Sequence, residues 1–255
     1  RDQIYLITLK ARGEQNIKHS YEEINWFIKS TVLLFEINGE SSKIINLENI
    51  KEQLSDKISI CSSFKASPNS NFMSDKIQLL EVELVQLDEL LDMLSQTQFK
   101  LLKLCLIYLS NGSKRSDMIG VNVFLEAFQL FNDQISIIKT NEQICYLLEI
   151  RSLLQNLKNV NKLLESTTLI LYSFFEEKRM AYPRLFFLGD NDLCKIVNQP
   201  VDEASLTIIL KLFTGIKKVE IKNNTIINVQ DSLGGAIYFE TPIPLGDELT
   251  TFLNS

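Results

Sequence analysis

Histidine is nearly missing from this chain: His19 is the only one in 255 residues, and it lies in a polar stretch. Without a second histidine, or a histidine with suitably spaced cysteines, zinc catalysis has no ligand set. The four cysteines, Cys61, Cys105, Cys145 and Cys194, lie far apart in apolar or helical contexts and match no metal or redox motif, so they read as buried free thiols in a reducing compartment. With only 9 glycines and 5 prolines the chain has few places to turn, which suits long helices. No apolar run approaches the ~18 residues that a bilayer span requires. The longest candidate, Leu101 to Leu109, is broken by Lys103. Positive charge is also short: 26 Lys+Arg against 32 Asp+Glu leave a net charge of −6, which argues against non-specific nucleic-acid binding. No Walker-type phosphate loop, G-x-S-x-G, H-E-x-x-H or G-x-G-x-x-G occurs. No secretory leader pattern follows Arg1, and a start on Arg rather than Met suggests a fragment.

What remains is an ordinary folding composition, 45% apolar and 23% charged, long enough for one or two domains with a real core. Residues 1–25 are weakly patterned. Trp26 to Ile37 is rich in Ile, Val, Leu and Phe, and Asn38-Gly39 separates it from Ser42 to Leu47. An Asn-Gly between β-prone runs predicts a hairpin. Asn46 is placed to cap a helix carrying Ile50, Leu54, Ile58 and Cys61, and Ser67-Pro68-Asn69-Ser70-Asn71 has loop composition.

The clearest signal follows. Ile77, Leu80, Leu84, Leu87, Leu91, Leu94, Gln98, Leu101 and Cys105 alternate spacings of three and four, a heptad seam interrupted once, by Gln98. It predicts a helix over 75–109, begun by Ser74 or Asp75 and ended by Asn111-Gly112-Ser113. Further helices are predicted over 121–139 and 142–177. Short links between long amphipathic helices favour antiparallel packing, and the seam is more readily an intramolecular contact than a dimeric coiled coil.

The pattern changes after Lys178. Pro183 cannot continue a helix, Leu185-Phe186-Phe187-Leu188 forms a short apolar run expected to be buried, and Asp190 and Asp202 are placed to cap two short helices. Val219 and Ile221, Ile226 to Val229, and Ile237 to Phe239 predict a β-meander with turns at Asn223-Asn224 and Asp231 to Gly235, before a final helix near Asp247. The expected fold is mainly α: an elongated bundle of long antiparallel helices with a small C-terminal β-meander and an N-terminal β-hairpin. Its expected parts are 1–71 with hairpin and helix, 72–180 as the long-helix bundle, and 181–255 with short helices and the meander.

Asp190-Asn191-Asp192 offers two carboxylates one residue apart, as metal-dependent transferases use, but a helix cap and a first-turn acid explain them more simply. The two sequons, at Asn111 and Asn223, are read as chance. The residues alone describe an acidic helical body with no self-contained active site.

The stretch Phe174 to Leu193 is more specific. Glu177, Lys178, Arg179, Pro183, Arg184, Phe187, Asp190, Asp192 and Leu193 resemble the signature near the end of the dynein heavy chain linker: L-E-x-K-R, two residues, F-P-R-F-Y-F, a short turn and D-D-L-L-E-I. In the same order, Leu212 to Ile216 resembles the linker's L-F-x-G-I, Ser232 to Phe239 its S-x-E-G-E-x-V, Pro242 to Leu253 the stretch before the first ATPase module, and Ala66-Ser67-Pro68 its S-S-P loop. Leu87 to Leu91, with Gln96 and Gln98, resembles the helix after that loop. The texture is nearest to the cytoplasmic dynein 2 class, which drives retrograde intraflagellar transport. The chain departs where the family has K-W-x-x-L-x-P-I-F, since the Trp and Pro are missing from Lys100 to Ile107, and a glycine at 234 or 235 stands for the Glu of S-x-E-G-E.

The resemblance implies a mechanical element, bending and straightening over a ring of ATPase modules to produce microtubule-based movement. It implies no catalytic, cofactor or metal residue in this stretch, with ATP and Mg bound in modules elsewhere in the full chain. Its implied partners are the ATPase ring of the same heavy chain, the microtubule through the rest of that chain, and dynein intermediate and light chains. Nucleic acid and membrane are not among them. The implied location is cytoplasm, cytoskeleton, cilium or flagellum. Lys178, Arg179 and Arg184 would pair with acids of the body or ring, or simply complement the helix dipole. Pro183, Phe186 and Phe187 would seat the β part. The alternatives are a helical scaffold or adaptor without motor activity and, third, a divalent-dependent enzyme using Asp190 and Asp192.

Overall fold

The computed structural model describes residues 2–38, 41–65, 67–109, 119–197, 201–246, 249 and 252. The chain is mainly α, with one two-stranded and one three-stranded antiparallel sheet. It forms two compact units: Arg1–Leu101 with Leu125–Leu164, and Leu102–Phe124 with Glu165–Ser255. The helices in order are α1 (Asp2–Ser30), α2 (Leu47–Lys65), α3 (Ser74–Tyr108), α4 (Val121–Ile138), α5 (Tyr146–Glu149), α6 (Leu153–Ala181), α7 (Asp190–Val197) and α8 (Glu203–Ile209). The strands are β1 (Phe35–Asn38), β2 (Ser41–Ile44), β3 (Lys218–Lys222), β4 (Thr225–Gln230) and β5 (Ala236–Pro244).

In the first unit the heptad seam is the core of α3. Ile77, Leu80, Leu84, Leu87, Leu91, Leu94 and Leu101 are all buried, and each such side chain stabilises the fold by roughly 1.5–3 kcal/mol. Helix α2 lies antiparallel beside it, because the linked pairs run in opposite order: Glu48 accepts from Ser95, Lys51 pairs with Asp92 at 2.7 Å, and Lys65 pairs with Glu81. Residues 2–25, in the stretch weakly patterned in sequence, are most of α1, and Trp26–Ser30 continue that helix instead of opening a strand. The buried set Ile17, Ile24, Phe27 and Ile28 has helical spacing, and that packing outweighs β propensity.

The hairpin is present, with Phe35 opposite Ile44 and Asn38 opposite Ser41; Gly39 of its turn lies outside the described residues. Two side-chain amides hold it. Asn46 does not cap α2 with its side chain: it donates to the Val32 carbonyl and accepts from the Leu34 N–H, both at 2.9 Å. Gln98, the polar break in the α3 seam, does the same to Ile44, accepting from its N–H at 2.8 Å and donating to its carbonyl at 2.9 Å. A carboxamide offers one donor and one acceptor side by side, as a peptide group does, so each completes a ladder that the short strands leave open.

Two further expectations change along this unit. Ser67 to Asn71 is not an open loop, since Pro68–Met73 is a 3-10 helix with the Ser67 hydroxyl accepting from the Asn69 N–H. The helix expected from 142 starts only at Leu153. Before it, Leu33 N–H donates to the Glu142 carbonyl at 2.7 Å and Ile144 N–H to the Thr31 carbonyl at 3.0 Å. That long-range pairing ties residues 142–144 to extended backbone, α5 is a single turn, and Ser152 adopts a left-handed φ of 61°.

In the second unit the Tyr108 ring stacks on Phe124 with centroids 4.6 Å apart, and its hydroxyl donates to the Ile119 carbonyl at 2.8 Å. Burial pushes the Tyr108 pKa up, so the phenol stays protonated. Gly120, at φ 74°, leads into α4, where a Cβ would meet Ile170 and the Tyr108 hydroxyl at 3.2 Å. The predicted end of α3 at Asn111-Gly112-Ser113 lies outside the described residues. Asp202 does cap α8, in a capping box whose carboxylate accepts from Ser205 N–H at 2.7 Å. The meander is β3-β4-β5. Asn223 and Asn224, at φ 51° and 60°, make the two-residue turn between β3 and β4. The Asp231 carboxylate accepts from Leu233 and Gly235 N–H, both at 2.8 Å, closing the next turn. Most of the final helix expected near Asp247 lies outside the described residues.

Candidate functional site

Helix α6 ends where its sequence requires. Lys178 and Arg179 occupy its last turn, where unpaired carbonyls favour positive charge, and Pro183 opens a 3-10 helix, Pro183–Phe187, that leads to α7. Arg179 turns inward at this corner. It is only 8% exposed, and its Nη2 donates to the Leu188 carbonyl at 3.1 Å and to Asp190 Oδ1 at 2.7 Å. Nη1 reaches Glu176 Oε1 at 3.5 Å, and the guanidinium carbon stands 5.9 Å from the Phe186 ring centre. One planar fork thus ties the end of α6, the 3-10 turn and the start of α7 together. Lysine, a point charge on a flexible stem, does not reproduce that geometry.

Asp190 was the expected cap of α7. Its carboxylate engages Arg179 instead, and the Asp192 and Leu193 N–H groups bond to the Gly189 carbonyl. Glu177 and Pro183 are exposed. Lys178 Nζ lies 5.3 Å from the Phe174 ring centre, and the exposed Arg184 stacks its guanidinium 4.9 Å from that of Phe213. Asp192 pairs with Lys211 at 2.5 Å. The expected buried run is split: Leu185 and Leu188 are buried, whereas Phe186 is exposed and Phe187 is 78% exposed. A 3-10 turn sends neighbouring residues in different directions, so four consecutive apolar side chains cannot all face inward. Phe187 therefore does not seat the β part among the described residues.

Sequence reasoning singled out Arg179 and Asp190 without seeing that they meet. It missed Glu176, which stands three residues before Arg179 on one helix face and was findable from that spacing. It has no cue to Lys211 and meets Phe213 only within the L-F-x-G-I match, because their contacts depend on chain reversal. The carboxylates of Asp190 and Asp192 are both engaged by bases. Among the described residues no group of three or more His, Cys, Asp or Glu is arranged to hold a metal ion, and no helix is long and apolar enough to cross a membrane. Cys194, buried beside this corner, has its thiol pushed up to about 11 by burial and then by the Asp190 charge, so it stays protonated. Cys61 is buried as expected, whereas Cys105 and Cys145 are only partly so. His19 is exposed, 3.6 Å from Glu23. Within this chain Arg179 clasps the corner.

The family model described as "Dynein heavy chain, N-terminal region 2" matches residues 1–255. The chain is 28% identical over 253 residues to the Homo sapiens cytoplasmic dynein 2 heavy chain 1, covering 96% of this chain and 6% of the relative. It is 28% identical over 262 residues to the Caenorhabditis elegans cytoplasmic dynein 2 heavy chain 1, covering 99% and 6%. It is 25% identical over 191 residues to the Mus musculus dynein axonemal heavy chain 12, covering 74% and 6%. The chain thus spans about 6% of the length of these curated relatives.

Proposed function

The chain belongs to the dynein heavy chain family, and from that premise we propose that it is the linker of a heavy chain of the cytoplasmic dynein 2 class. In this reading it bends and straightens over the ATPase ring of the same chain and so converts nucleotide turnover into movement along microtubules. It binds no nucleotide itself, and ATP and Mg act in the modules beyond it. Its setting is the cytoskeleton of cytoplasm and cilium, in intraflagellar transport, with intermediate and light chains among its partners.

The Arg179 corner carries this reading. Three charged residues of the linker-like signature, Arg179, Asp190 and Asp192, are tied down at this corner, with Arg179 on Asp190 and Lys211 on Asp192. That is what a part transmitting force needs: an element moves as a unit only where its internal joints are stiffer than its hinges. The Homo sapiens and Caenorhabditis elegans relatives, each 28% identical, carry the cytoplasmic dynein 2 name, which supports the class.

The test is energy transfer in the full heavy chain, between a dye at the exposed Lys18 of α1 and a dye on the ATPase ring. The linker reading expects transfer efficiency to switch between ATP-bound and nucleotide-free states. Equal efficiency in both states would refute it, because a ligand that moves the element must bind its two positions differently.

A further inference from the structure

The break between α5 and α6 has no cause in its own sequence. From Thr140 to Tyr182 there is no glycine or proline, so no residue in that stretch forces a helix to stop. The backbone breaks all the same. Ile150 is extended, with ψ 108°, and Ser152 is left-handed, with φ 61°. An L side chain meets steric strain in that region. The other non-glycine residues of positive φ among the described ones are Asn223 and Asn224, a residue type that tolerates it.

Both sides of the break are ready for a longer helix. Ahead of it, the N–H groups of Tyr146, Leu147 and Leu148 already donate to carbonyls three residues back, at 3.1, 3.1 and 3.2 Å. Behind it, α6 buries Leu153, Leu157, Val160 and Leu164. At ~100° per residue, extending α6 backwards brings Tyr146 and Ile150 onto that face and turns the exposed Ser152 away from it. What opposes the extension is the pairing of 142–144 with 31–33: the bonds donated by the Leu33 and Ile144 N–H groups, and the bridge of Val32 to Gln143. Straightening 145–152 would lengthen α6 by about 12 Å and remove the change of direction that brings 142–144 to that pairing.

We infer that residues 142–152 are a two-state strap. In one state, the arrangement described above, 142–144 pair with 31–33 and Ser152 carries the strain. In the other, 145–152 join α6 in one continuous helix and 31–33 are released. Strand bonds favour the first state and helix bonds the second, with strain at one residue setting the balance. Residues 31–33 join α1 to the hairpin, so the strap ties or frees the hairpin's entry. All these residues lie within the first unit. The inference rests on that backbone and is independent of the proposed function.

The test is hydrogen exchange of the full heavy chain, resolved to single amides by mass spectrometry, in the unmodified protein, Ser152→Ala and Ser152→Gly. Alanine disfavours the left-handed backbone and favours helix. In Ser152→Ala the Leu33 and Ile144 amides should exchange about tenfold faster, because their strand bonds open. The Leu154 and Gln155 amides should exchange at least about threefold slower, because a first-turn N–H without an intrahelical partner gains one in the longer helix. Faster exchange at all four amides would mean plain local unfolding and overturns the inference, as does no change at any of them. Should Ser152→Ala fail to fold, Ser152→Gly decides. Glycine suits φ 61°, so the Leu33 and Ile144 amides should exchange at least about threefold slower than in the unmodified chain, and equal or faster exchange there overturns the inference.

Discussion

The two compact units fasten their awkward segments by different chemistry. The first holds a four-residue-per-strand hairpin with two neutral carboxamides, Asn46 and Gln98, each bonded to a backbone N–H and a carbonyl. The second holds the corner between α6 and α7 with a guanidinium, two carboxylates and a carbonyl. The neutral clamps satisfy backbone groups that would otherwise be orphaned, and they carry no charge for salt or pH to touch. The charged clasp is stronger per bond, but Asp190 is about half exposed and water can replace part of it. The first device resists changes of solution; the second responds to them.

Substitutions sharpen this contrast in a graded way. The largest effect is expected from Gln98→Ala, which leaves both polar groups of the buried Ile44 without partners. Two orphaned groups and a cavity should cost about 3 kcal/mol, read as a lower urea midpoint with an unchanged slope. The loss should be the same at low and high salt. Arg179→Ala comes next, at about 2 kcal/mol, because the Leu188 carbonyl is stranded while Asp190 can rehydrate. Most of that loss should persist in Arg179→Lys, and hydrogen exchange should rise in 183–193 while the α2–α3 amides stay protected. A salt-independent Arg179→Ala effect, or a strongly salt-dependent Gln98→Ala effect, would break the comparison.

Asp202→Ala should cost about 1 kcal/mol through loss of the α8 cap. The Ser205 N–H and hydroxyl hold the Asp202 carboxyl below its ordinary range. The stabilisation is therefore complete above the ordinary aspartate pKa and disappears as pH falls through the lowered one. The gap between wild type and Asp202→Ala should close in acid, as shown by urea midpoints measured across pH. The smallest effect belongs to the exposed Lys158–Glu89 pair, where Lys158→Ala should change stability by less than about 0.5 kcal/mol.

Much of this was legible in the sequence wherever the cause is local. The α3 seam follows from spacing alone, the meander from alternation and its Asn-Asn turn, and the α8 cap from Asp202. What escaped depends on distant backbone. Periodicity alone puts the start of α6 too early because residues 142–144 pair with 31–33, and Asn46 holds the hairpin instead of capping α2 because its partners lie across a chain reversal. Gln98 looked like a defect in the seam, yet its place there is explained by Ile44, 54 positions earlier. The signature at the end of α6 contains Arg179 and Asp190, which meet at the corner. Its geometry, with Arg179 inward and Phe187 outward, came from a 3-10 turn that composition does not announce.

The most direct test of the account is to place Arg179→Ala in the full heavy chain and measure microtubule gliding speed beside ATP turnover. If the clasp stiffens a force-transmitting linker, gliding should slow severalfold while turnover stays within about twofold, since only the transmission of a conformational step is impaired. Unchanged gliding speed, or speed and turnover falling together in proportion, would contradict the account.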